Sequence, residues 1–400
     1  MVNVMSKLDD VVIVSGVRTA IGKFGGSFKD VSAIDLGAIV IREAINRAKL
    51  AENLVDEVIV GNVGQIAENG FIARMVSLNA GLSKETTAYS VNRQCGSGLQ
   101  AIVNGMLEIQ SGNSNIVVAC GTENMSSLPY YDRGCRYGYK MGHAQLEDGL
   151  LSILTWPGGP YHNGMTAEYV AEKYSVNRAQ QDQFAFNSQQ KAIYAIKNSL
   201  FEEQIVPVEL KDKKGSVSFF KQDEHVREDV SIEKLSKLKP AFKSDGTVTA
   251  ANSSGINDGA AAVVLMSAKK ADELGVKPFI KIVGYAIAGN EPELMGYAPK
   301  FAIEKLLKKY NLNIEDIDLF ELNEAFASQS FAVIRDLKID ENKVNVNGGA
   351  IALGHPVGAS GTIITVKLMY ELKRRQAKRG VAAMCVGGGQ GIAVLFELCN

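Results

Sequence analysis

"YSVNRQCGSG", Tyr89 to Gly98, is the stretch whose reading decides the fold. It begins as a strand and passes through a glycine-containing turn. Directly after it, Leu99, Ile102, Val103, Met106 and Leu107 share one face of a helix, the signature of a 3.6-residue repeat. A strand that turns straight into an amphipathic helix is half of a βαβ crossover. Upstream lie the apolar runs "VVIVSG" (Val11–Gly16) and "VDEVIVGNVG" (Val55–Gly64), and downstream "NIVVACG" (Asn115–Gly121). These runs are unbroken rather than alternating, as expected of a sheet covered on both faces.

The same order recurs. "FIKIVGY" (Phe279–Tyr285), "IEDIDLFELN" (Ile314–Asn323), "KVNVNGG" (Lys343–Gly349), a helix from about Ser360, and "VAAMCVGGG" (Val381–Gly389) repeat strand, helix, strand, helix, strand, helix, strand. Strands separated by helices predict right-handed parallel crossovers. If a pseudo-twofold relates the halves, equivalent loops meet at one site. Those loops carry Gly64 and Cys95 from one half, and Asn323, His355 and Cys385 from the other. Between the halves, from about Met125 to Gly255, polar helical stretches and lysine-rich loops replace the apolar runs. This segment reads as an insertion at strand ends, where substrate is often held.

Bulk properties exclude several classes. A net charge of −1 over 400 residues offers no electrostatic reason for a nucleic-acid or membrane partner. The basic run "KRRQAKR" (Lys373–Arg379) reads as a solvated helix end closed by Gly380. No run of 18 apolar residues exists, so no membrane helix is expected. The opening "MVNVMSKLDDVVIVSG" fits neither a secretory nor a mitochondrial leader. Five scattered cysteines (Cys95, Cys120, Cys135, Cys385, Cys399) point to free thiols in a reducing cytoplasm. Without a C-x-x-C pair or histidines at ligand spacing, no zinc site is expected.

Four residues are candidates to carry chemistry. Cys95 precedes a helix, whose N-terminal dipole lowers a thiol pKa; a small buried cysteine is the competing reading, and both stay open. Cys385 ends a strand before three glycines, Gly387 to Gly389, whose exposed N–H groups suit an oxyanion hole. A dinucleotide fingerprint is the rival there, and it fails because Ile392–Leu398 reads as a strand rather than a helix. Cys120, at the matching strand end, reads as structural. His355, between Gly354 and Pro356 in "NVNGGAIALGHPVGASG" (Asn345–Gly361), sits on a stiffened turn that another molecule can approach. Asn323, in "ELNEAFASQS", is either a helix N-cap or a site residue.

Together these segments resemble the thiolases over nearly the whole chain. The resemblance rests on "VRTAIGKFGGSF" (Val17–Phe28), "CGSGLQA" (Cys95–Ala101), "AFKSDGTVTAANSSGINDGAAA" (Ala241–Ala262), "NEAFA" (Asn323–Ala327), the His355 stretch and "CVGGGQG" (Cys385–Gly391). It is similar above all to the biosynthetic type, which condenses two acetyl-CoA to acetoacetyl-CoA and coenzyme A, reversibly. The fold this implies is α/β: two similar doubly wound βαβαβαββ halves in α-β-α-β-α layers. The halves are then 1–124 with 256–276, and 277–400. Residues 125–255 form an inserted loop domain that binds coenzyme A.

By resemblance, Cys95 is the acylated nucleophile and Cys385 the base for the α-proton. His355 and Asn323, the latter through a water, bind the thioester oxygen of the incoming acetyl-CoA. The N–H groups of Cys95 and Gly387 form the other oxyanion hole. Ser254 and Arg227 contact the coenzyme, with Phe242, Leu238 and His162 as pocket walls. Coenzyme A thioesters are substrates, so no separate cofactor or metal is implied, and a homodimer or homotetramer is. Two departures bear on chain length: Asn163 replaces the usual methionine between His162 and Gly164, and "TWPGGPYH" (Thr155–His162) holds the only tryptophan. A degradative 3-ketoacyl-CoA thiolase and a non-catalytic acyl-CoA binding protein are the alternatives. If Cys95 and Cys385 face one carbon, mild oxidation joins them in a disulfide.

Overall fold

In the computed structural model, which describes residues 9–159 and 161–399, the principal elements follow the repeat. The leader reading rests partly on residues 1–8, outside the described residues, as does Pro160 of the tryptophan stretch. The first half runs β1 (Val11–Thr19), α1 (Ala33–Ala48), β2 (Glu57–Gly61), α2 (Ile72–Asn79), β3 (Thr87–Val91), α3 (Ser97–Gln110) and β4 (Ile116–Asn124). The intervening segment carries α4 (Asn163–Lys173) and α5 (Arg178–Lys197), and the chain returns through β5 (Asn257–Ser267). The second half runs β6 (Ile280–Gly289), α6 (Ala298–Lys309), β7 (Leu319–Leu322), α7 (Ala327–Leu337), α8 (Ser360–Arg375), β8 (Arg379–Val386) and β9 (Gln390–Leu398).

Strand order is β3-β2-β4-β5-β1 and onward β6-β9-β8-β7. The two sheets join where Val11, Val12 and Ile13 pair with Ile282, Lys281 and Ile280. Every central strand is apolar on both faces, so it is covered twice. Along β4, Val117 and Ala119 point to the middle of the molecule, and Val118 and Cys120 to the outside. The middle layer is α3 against α8, with Leu99, Ile102 and Val103 meeting Ile363, Val366 and Met369. Helices α1 and α2 cover the first sheet, and α6 and α7 the second. The result is the thiolase fold, layered α-β-α-β-α.

Four expectations need correction. The all-parallel crossovers hold only for β3-β2-β4 and β7-β8. The strand closing each half is antiparallel to its neighbours, β5 between β4 and β1, and β9 between β8 and β6. "KVNVNGG" does not form a strand; only Val344 bridges Phe320. Asn345 adopts φ 43°, and its side-chain amide replaces the ladder, accepting from Leu322 N–H at 2.9 Å and donating to Leu322 C=O at 2.8 Å. Leu107 is exposed, off the buried face of α3. Finally, α8 is closed by Gln376 in a left-handed conformation, not by Gly380. Gly380 lies inside β8, where a Cβ would come within 2.7 Å of Leu368.

The two halves touch most closely where α3 and α8 begin. A Cβ on Gly361 would lie 2.2 Å from the backbone nitrogen of Leu99, and one on Gly98 2.7 Å from that of Thr362. Backbone cannot give way as a side-chain tip does. Gly361→Ala is therefore expected to cost at least about 2 kcal/mol in denaturant unfolding. Gly70→Ala, with open space around it, is expected to stay within about 0.5 kcal/mol.

Candidate active site

The crossing of α3 and α8 sets two loops side by side. Cys95 sits in the turn between β3 and α3, preceded by Gln94 at φ 46°, and is 7% exposed. Burial pushes its thiol up to about 11, against N–H donors from Gly387 and its own backbone that pull down. The helix N-terminus thus does not yield the lowered pKa expected from sequence, because desolvation outweighs the dipole.

His355 is buried, with its backbone N–H donating to Asn257 Oδ1 at 2.9 Å. Its Nδ1 lies 2.6 Å from Ser360 Oγ, and Ser360 Oγ donates its one proton to Pro356 C=O at 2.9 Å. Nδ1 is therefore the ring donor, and Nε2 carries the free lone pair. Burial pushes His355 down to about 4. The resting pair is a thiol and a neutral imidazole.

Asn323 follows β7 and is fully buried. Its N–H pairs with Ala383 C=O at 2.9 Å, its Nδ2 lies 3.5 Å from His355 Nε2, and its Oδ1 has no partner among the described residues. It is not a helix cap, since α7 begins after Phe326. Cys385, on β8, is fully buried; burial raises its thiol pKa strongly, with the nearby Cys95 charge adding to this. Gly387 follows in the next loop, and its N–H pulls the Cys95 thiol pKa down against burial. All five cysteines are free thiols. Cys120 lies in the apolar core under α1 and α2.

Cys95 and His355 line a cavity of about 690 Å³. Leu154, Asn163, Met295 and Phe326 line it too, as do His162, Arg227, Phe242 and Ser254. Leu238 does not; it is 40% exposed, and its carbonyl is held by Arg178. His162 stacks on Phe242 with centroids 5.0 Å apart and caps α4 through Nδ1. Trp156 is also off the cavity and packs on Gly388, so it braces the loop that carries Gly387. Gly64 supports rather than lines the site, donating to Glu123 at 3.0 Å.

Sequence reasoning missed the supporting residues. Buried Glu123 accepts from Val63, Gly64, Gly358 and Asn62, tying the loop after β2 to the His355 loop. Burial holds it up at about 7. An acid directly after "VVACGT" was the available signal. His225 lines the cavity, pushed down to about 4 by burial and then by Arg227. Gln329, Ser360 and Asn257 grip Cys385 and His355 and carry no local signature.

Comparison with known proteins agrees with this construction. Residues 11–269 match the family model "Thiolase, N-terminal domain", and residues 276–398 match "Thiolase, C-terminal domain". The chain is 48% identical over 391 residues to the acetyl-CoA acetyltransferase of Cupriavidus necator, covering 98% of this chain and all of that one. It superposes on the crystal structure of the Bacillus anthracis acetyl-CoA acetyltransferase with a TM-score of 0.96 and 45% identity, over 98% of this chain and 99% of that one. Human mitochondrial 3-ketoacyl-CoA thiolase in complex with CoA gives 0.95 and 43%, over 98% of each chain. The chain belongs to the thiolase family and is an acyltransferase.

The buried imidazole has a signature in stability. The unfolded chain protonates residue 355 near pH 6.5 and the folded chain only near 4. In that window the unfolded state binds more protons, so the His355 contribution to stability falls as pH falls. His355→Gln is expected to flatten the loss of unfolding free energy between pH 6.5 and 4. Identical slopes for the two proteins would contradict the assignment.

Proposed function

We propose that this thiolase is an acetyl-CoA C-acetyltransferase, joining two acetyl-CoA to acetoacetyl-CoA and coenzyme A, reversibly. The observation that carries the reading is that Cys95 and His355, from opposite halves, line one cavity, with the Cys385 thiol near Cys95 and the Asn323 amide 3.5 Å from His355 behind them. A carbon–carbon condensation needs a group to hold an acyl unit, a base for an α-proton and stabilisers for two oxyanions.

In this reading His355 Nε2 takes the Cys95 proton, and the sulfur attacks the acetyl-CoA carbonyl carbon. The carbon–sulfur bond to coenzyme A breaks, and the departing thiolate takes the proton of the Cys385 thiol, which leaves Cys385 as the thiolate that acts as base for the second substrate. The N–H groups of Cys95 and Gly387 hold the tetrahedral oxyanion. A second acetyl-CoA enters with its thioester oxygen toward His355 and Asn323, and Cys385 takes its α-proton. The enolate carbon attacks the acetyl carbon on Cys95, the Cys95 carbon–sulfur bond breaks, and the released sulfur recovers its proton from His355.

We assign coenzyme A to the large cavity, with Arg227, Ser254, Phe242 and His162 as contacts and no separate cofactor. Most of these walls come from residues 125–255, which supports treating that segment as the coenzyme-binding unit between halves 1–124 with 256–276 and 277–400. Leu238, away from the cavity, is the weakest of the proposed contacts. Scattered free cysteines support a cytoplasmic setting. A homodimer or homotetramer fits the open edge of β3 near exposed Phe71, Met75 and Leu78, since such edges are ordinarily paired or protected. The degradative reading turns on Asn163, a polar side chain in the cavity wall.

Mixing the protein with acetyl-CoA is expected to place an acetyl group on Cys95, seen by peptide mass spectrometry and absent from Cys95→Ser. No label on any cysteine would favour mere binding. Thiolysis of acetoacetyl-CoA is expected to exceed that of a longer 3-ketoacyl-CoA in kcat/KM. Asn163→Met, which fills more of the cavity wall, is expected to raise this preference, and a wild-type ranking in favour of the longer substrate would favour the degradative alternative.

A further inference from the structure

Two chemically identical thiols share this site, yet condensation needs one to carry an acyl group and the other a proton. Their surroundings have opposite polarity. The Cys95 sulfur faces N–H groups, from Gly387 and from its own backbone. The Cys385 sulfur faces an oxygen, Gln329 Oε1, at 2.9 Å.

The orientation of that amide is fixed by its other end. Gln329 Nε2 lies 3.1 Å from the backbone carbonyl oxygen of Asn323 and 3.4 Å from Ser330 Oγ. A carbonyl oxygen only accepts, so the NH2 group must point there and Oε1 must point at Cys385. An amide oxygen accepts from a thiol and offers nothing to a thiolate. Donors around a sulfur favour the thiolate, and an acceptor favours the thiol. Gln329 is fully buried, so no water substitutes for either contact.

We propose that Gln329 is a positioning residue that makes Cys385 the proton carrier and leaves acyl transfer to Cys95. It acts through Cys385 and, at its other end, holds the backbone of Asn323. When the α-proton passes from the methyl carbon of acetyl-CoA to the Cys385 sulfur, the new S–H finds its acceptor already in place. That acceptor makes the Cys385 thiolate a stronger base, because protonation gains a hydrogen bond that the thiolate lacks. The inference rests on the proposed roles of Cys95 and Cys385.

The test separates acyl transfer from proton transfer, using purified full-length wild-type protein, Gln329→Met and Gln329→Glu. Acetylation of Cys95 by acetyl-CoA is followed by mass spectrometry, and exchange of the acetyl-CoA methyl hydrogens with deuterated water by NMR across pH. For Gln329→Met, acetylation is expected to stay within about threefold of wild type. On the high-pH plateau, where Cys385 is already ionised, exchange is expected to fall by up to about tenfold, with the pH profile moved about one unit toward acid, the size of one neutral hydrogen bond. In Gln329→Glu the neutral carboxyl donates to Asn323 and accepts from Cys385, so exchange is expected near wild type at low pH and lost as the carboxyl ionises. An unmoved exchange profile in Gln329→Met, or acetylation falling in step with exchange in both variants, overturns the role of Gln329. Absence of acetyl-Cys95 in the wild type instead overturns the proposed function itself.

Discussion

The backbone contact between the first turns of α3 and α8 is the constraint on which the rest depends. Gly98 and Gly361 let the two helices approach with no side chain between them. Cys95 is positioned by the first of these helices and His355 by the turn before the second. The same contact decides how far apart the Cys95 thiol and the His355 imidazole sit. Neither half holds a complete site. Cys95 belongs to the first, and Asn323, His355 and Cys385 to the second. In the proposed reading the packing of one half on the other is therefore part of the chemistry as well as of the architecture.

Burial is the second controlling term. Cys95 rises to about 11 and His355 falls to about 4, which keeps the resting site neutral in a low-dielectric setting. Charge placed there is then felt strongly by the few preset donors, Gly387 N–H among them. The framework invests accordingly in residues that never touch the cavity. Glu123 fixes the loop under His355 through Gly358, Ser360 sets the ring tautomer, and Trp156 packs on the glycine loop.

The layers were legible because their physics is local. Unbroken apolar runs such as Val11–Gly16 gave doubly covered strands, and the Leu99–Met106 spacing gave the central helix. Strand direction was not legible. β5 slots between β4 and β1 because of where the chain re-enters after 130-odd residues, about which local periodicity is silent. The lost strand at Lys343–Gly349 had strand composition, but a side-chain amide, that of Asn345, took over the pairing. At the site, cysteines and a histidine beside glycines stood out as unusual residue types. Gln329, Ser360 and Asn257 did not, since their importance lies in what they face across the fold. The pKa of Cys95 was misjudged for a related reason: helix position is written in sequence, and depth of burial is not.

A crystal structure of the protein soaked with acetyl-CoA tests the central claim most directly. The account predicts an acetyl thioester on Cys95 with its oxygen between the N–H groups of Cys95 and Gly387, and the Cys385 sulfur about 3–4 Å from the methyl carbon of a second bound thioester. A thioester on any other residue, or a Cys385 sulfur walled off from that methyl group, would contradict it.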